Sequence, residues 1–72
     1  MKKDIFERFI AEQLFKGRSS EDIISEIEES IRNLGYFSLS DVDGTEVKLQ
    51  SVWLANFGYK VFIVNKESER YL

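Results

Sequence analysis

The apolar residues of this chain change their period once, at Gly35, and that change limits the possible folds more than any single residue does. Before Gly35 they recur at helical spacing; after it they alternate or run together as they do in strands. A chain that reads as helices first and strands second points to an α+β architecture, with the helices laid on one face of an antiparallel sheet.

The spacing predicts a first helix over residues 3–16. Ile5, Phe6, Phe9, Ile10 and Leu14 fall on one broad face, Asp4 and Glu7 stand near its start, and Lys16 and Arg18 near its end, as the helix dipole favours. Phe15 lies off the apolar stripe, and Gly17 is a natural stop. A second helix is expected to follow Ser19, which stands at capping-box spacing from Asp22. Ile23, Ile24, Ile27, Ile31 and Leu34 form its apolar stripe, Gly35 its C-terminal cap, and Tyr36 packs back on its last turn. Its outer face carries Glu21, Asp22, Glu26, Glu28 and Glu29 with no base between them. The turn around Gly17 to Ser19 is short enough to make the helices antiparallel neighbours, and their shared apolar side needs a cover.

The second half is expected to supply that cover as three strands over residues 36–42, 46–54 and 59–64. Asp43-Gly44 suits a two-residue type I′ hairpin turn, and Asn56 to Gly58 a second turn. The run Tyr59-Lys60-Val61-Phe62-Ile63-Val64 has the strongest strand composition in the chain. The expectation is one domain, 1–72, in two layers of order α-α-β-β-β: a helical hairpin (1–35) on a three-stranded antiparallel meander (36–64), then a polar tail (65–72).

Function is constrained chiefly by what is missing. The 72 residues contain no His, Cys or Pro. There is no imidazole base, no thiolate and no disulfide, and the usual zinc ligands are absent. No catalytic, cofactor-binding or metal-binding residue can be assigned, so a non-enzyme is expected. A net charge of −3 disfavours a nucleic-acid backbone as the partner. Acidic residues interrupt any signal-like apolar run at the N-terminus, no stretch has the length of a membrane span, and the expected location is cytoplasmic.

Three motifs invite chemistry. Asp41-Val42-Asp43-Gly44-Thr45 resembles the first motif of haloacid-dehalogenase-type phosphatases, which implies an aspartate nucleophile, a second aspartate as general acid, and Mg²⁺. The short remainder of the chain leaves no room for that family's large sheet and later motifs, and a hairpin turn flanked by carboxylates explains the residues. The same segment fails as an EF-hand, with Gly44 at the fourth position and Val52 at the twelfth. Gly17 to Ile23 has the look of a helix-turn-helix entry, but the isoleucine stripe runs on to Leu34 and Arg32 is the lone base on the would-be recognition helix.

The reading that remains is a small non-catalytic protein-binding module: a regulator, adaptor or inhibitor, with the general character of a phage or mobile-element accessory protein. An acidic winged-helix-like nucleic-acid binder is the alternative. The third strand would be apolar on both faces, and the helices can cover one. The open face, with Phe62, Val64, Val52 and Leu54, is therefore the expected contact with a protein partner or a second copy, unless Tyr71 and Leu72 fold across it. The acidic helix face, with Glu21, Glu26 and Glu29, is a second candidate contact.

Overall fold

The computed structural model describes residues 2–70, with side chains described for residues 2–67. The element order is α1 (Lys2–Phe15), α2 (Ser20–Leu34), β1 (Phe37–Ser40), β2 (Glu46–Leu49), α3 (Ser51–Phe57) and α4 (Tyr59–Arg70). Over the described residues the chain is α+β, with four helices and a two-stranded antiparallel sheet.

The helical first half forms as its periodicity requires. On α1, Ile5, Phe6, Ile10 and Leu14 are buried, while Phe15 is 87% exposed. At the start of α2 the Ser19 hydroxyl accepts the Asp22 N–H at 3.2 Å, which satisfies one of the open N–H groups of the first turn. At its end Gly35, at φ +85°, donates its N–H to the Ile31 carbonyl at 2.8 Å. The Ser30 hydroxyl then donates to the Tyr36 carbonyl and ties down the exit of the chain. Arg18, between the helices, donates to the Gln13 side chain at 2.9 Å and pairs with Glu26. A base from the turn thus answers the acidic face that α2 itself leaves uncompensated.

The hairpin pairs Phe37 with Leu49 and Leu39 with Val47 on one face, and Ser38 with Lys48 and Ser40 with Glu46 on the other. The apolar face turns inward, where Phe37, Leu39 and Leu49 are buried. The outer face is polar, and Ser38 donates to Glu46 across it at 2.7 Å. The turn differs from the type I′ expected. That geometry needs positive φ at both central residues, and no non-glycine residue among those described has it. Instead Gly44 donates to the Asp41 carbonyl at 3.0 Å and Asp41 donates to the Thr45 carbonyl at 2.8 Å. Val42, Asp43 and Gly44 form a three-residue loop, with Gly44 alone left-handed at φ +88°. The Asp43 carboxylate accepts the Thr45 N–H at 2.9 Å, and that bond holds its pKa below the usual carboxylate value.

The largest correction concerns the second half. The second strand stops at Leu49, short of the expected residue 54, and residues 59–64 are helix, so the three-stranded meander does not form. Asn56 to Gly58 joins two helices rather than two strands. Gly58, at φ +73°, donates to the Leu54 and Ala55 carbonyls to close α3, and its own carbonyl accepts the Phe62 N–H to open α4. The expected polar tail is likewise helix as far as Arg70; Tyr71 and Leu72, and with them the sealing role weighed above, lie outside the described residues.

Helical winding brings the aromatics onto Phe6. Its ring meets Trp53 edge-on at 5.8 Å and Phe57 edge-on at 5.4 Å, with Phe62 tilted against it at 6.4 Å. Trp53 and Phe57, one helical turn apart, stack at 5.1 Å. All six elements send at least one side chain into one core, Leu54 from α3 and Ile63 from α4 included. Packing against α1 and α2 steadies the sheet, since a lone two-stranded hairpin is marginal in water.

The joint at Gly58 gives a direct test. A Cβ there meets open space, so a substitution costs only the left-handed backbone, roughly 1–2 kcal/mol. Gly58→Ala should lower Tm by about 4–8 °C for each kcal/mol lost. A thermal scan showing no change would mean that α3 and α4 do not meet at a left-handed residue.

Candidate functional site

Helix α2 runs beside α4, and the short α3 leaves a hollow where the three meet. Ile31 of α2 forms one wall, Ser51 and Ala55 of α3 another, and Gly58, Tyr59 and Val61 the third. The hollow has a volume of about 390 Å³ and is open to solvent on one side. Val61 on its wall is 66% exposed. Val52 on α3 and Val64 on α4 are also exposed.

Polar groups at the rim are few. Lys60 Nζ lies 3.9 Å from Glu28 Oε1, with both side chains about half exposed. Burial raises the Tyr59 phenol pKa, and the nearby Glu28 charge adds to the shift. Tyr59 therefore stays a neutral hydroxyl throughout the physiological range. The hollow is suited to taking up aliphatic side chains, with the Ser51 and Tyr59 hydroxyls as peripheral donors. Among the described residues no polar or charged side chain is buried, and no three carboxylates gather closely enough to hold a metal ion.

The residues expected to form a partner-binding sheet face are dispersed. Leu54 is fully buried, so it cannot be an anchor. Phe62 is half-buried in the aromatic cluster against Phe6 and Phe57. Val52 and Val64 are exposed, but on α3 and α4 rather than on strands. The open apolar sheet face does not exist, because the sheet has two strands and its outer face is polar. Ile31, Ala55, Tyr59 and Val61, which line the hollow, were not among the contact residues expected from the sequence, although Trp53, Leu54 and Phe57 stand at helical spacing.

The acidic candidates all lie exposed on α2. Glu26 is engaged by Arg18, while Glu21 and Glu29 have no ion-pair partner among the described residues. The carboxylates of the Asp41 to Thr45 segment are taken up by the turn and by α1. Asp43 accepts the Thr45 N–H, and Asp41 accepts the Val42 N–H and an Arg8 guanidinium at 3.3 Å.

No model of a known protein family matches the chain, and neither the curated proteins nor the solved structures contain a significant match.

Proposed function

We propose that the chain is a non-catalytic protein-binding module, a regulator, adaptor or inhibitor, whose contact site is the hollow between α2, α3 and the start of α4. The observation that carries this reading is the apolar surface there: a hollow walled by Ile31, Ala55, Gly58 and the ring of Tyr59, with Val61 66% exposed on the same wall. Apolar patches rimmed by polar groups mark places where another chain docks. The contact site moves from a sheet face to a helical hollow, and Val61 replaces Phe62 as its best anchor. A cytoplasmic accessory role fits the same character. The competing nucleic-acid reading draws less support, since Arg32 is the lone base on α2 and stands among Glu21, Asp22, Glu26, Glu28 and Glu29.

Val61→Asp tests the site. Val61 is 66% exposed, so the variant should still fold and keep a cooperative thermal transition. Affinity capture from the native host should then lose its partner with Val61→Asp and keep it with Glu29→Lys on the far flank of α2. Undiminished capture by Val61→Asp would remove the hollow from consideration.

A further inference from the structure

We propose that the hollow is filled by a second copy of this chain, in a two-fold dimer where Val61 of each protomer enters the hollow of the other. This rests on the protein-binding reading and names its partner. A two-fold interface uses the same patch on both sides, so that patch must carry both a projection and a recess. Here it does. The recess is walled by Ile31, Ala55, Gly58 and Val61, and Val61, 66% exposed, forms its projecting lip.

The charges at the rim fit the same symmetry. Glu28 and Lys60 stand side by side with opposite sign at 3.9 Å. A two-fold axis between them sets Lys60 of each protomer against Glu28 of the other, so attraction occurs twice and no like charges meet. A strongly basic or strongly acidic partner would find no net charge there to read. The acidic surplus of α2 lies elsewhere. Asp22, Glu26 and Glu29 line a separate shallow groove with Arg18, on the flank turned away from Ile31. At physiological salt, charges beyond about 8 Å are largely screened, so a protomer charge of −3 does not forbid close approach of this face. A domain this small, without a disulfide, is also the kind that association commonly reinforces.

The test is a charge exchange read by sedimentation equilibrium of the full chain at tens of micromolar. Wild type should sediment as a dimer. Val61→Asp, Lys60→Glu and Glu28→Lys should each weaken association at least tenfold while keeping a cooperative thermal transition. Mixing Lys60→Glu with Glu28→Lys in equal amounts should restore a dimer containing one of each, because both contacts across the axis again join opposite charges. Restoring the contact inside one protomer cannot produce that result, since neither variant carries both changes. A wild-type chain that stays monomeric, or a mixture no more associated than its components, overturns the proposal. If the wild type is monomeric while Val61→Asp still loses its partner in affinity capture, the second copy is ruled out and the protein-binding reading stands.

Discussion

Phe6→Ala is expected to leave the chain without a stable folded state at 25 °C. Phe6 is fully buried, and its ring is the point on which Trp53, Phe57 and Phe62 converge from two other helices. Truncating a buried phenylalanine costs about 3–5 kcal/mol, through lost transfer energy and the cavity left behind. The net stability of a domain this size is itself about 3–5 kcal/mol, so the two are comparable. The rings around Phe6 cannot collapse to fill the space, because Trp53 and Phe57 are fixed one turn apart on α3 and already stacked on each other. Urea denaturation followed by circular dichroism should show no folded baseline for Phe6→Ala. Phe15→Ala, at an 87% exposed position on the same helix, should stay within about 0.5 kcal/mol of wild type. Similar midpoints for both variants would mean that α1 does not turn Phe6 toward α3.

Ile27→Ala should be nearly as damaging. Ile27 is fully buried at the middle of α2, one turn after Ile23, which is also fully buried. The expected loss is about 2–5 kcal/mol. Its neighbour Glu26 points outward and pairs with Arg18 at a half-exposed position, so Glu26→Ala should cost no more than about 1 kcal/mol. Equal melting temperatures for the two variants would show that the buried stripe of α2 is misplaced.

Both of these positions were legible in the sequence, and so was the whole helical hairpin. Ser19 and Gly35 bracket α2 with side-chain and backbone signals that act within a few residues, so no distant contact is needed to place its ends. The inward face of the sheet was also legible, because Val47 and Leu49 alternate with Glu46 and Lys48. The last two helices were not. Tyr59-Lys60-Val61-Phe62-Ile63-Val64 is rich in β-branched and aromatic residues, which favour strands by composition. Such preferences amount to tenths of a kcal/mol per residue, and burial of Leu54 and Ile63 with the rings of Trp53, Phe57 and Phe62 outweighs them. Tyr59, Phe62, Ile63 and Lys66 do stand at helical spacing, and Gly58 is as good a helix stop as it is a turn residue. The candidate site was missed for the same reason. A strand would have spread Val61 and Val64 along a sheet, whereas the helix sets Val61 beside Ile31 and Ala55 of two other elements.

One contact ties the ends of this architecture together. The Glu67 carboxylate on α4 accepts the N–H of Ser20, at the first turn of α2, at 3.2 Å. A carboxylate placed there satisfies an open donor and meets the positive end of the helix dipole. Ser19 already caps α2, and Glu67 adds a second acceptor from α4, the helix that also brings Ile63 into the core. At about 5–20 residues per second, several seconds of translation separate Phe6 from Ile63. Until Ile63 is made, the apolar faces of α1 and α2 lack part of their cover. The core is in this sense completed only when α4 joins it, and a chain lacking α4 would leave Phe6 and the isoleucine face of α2 partly uncovered.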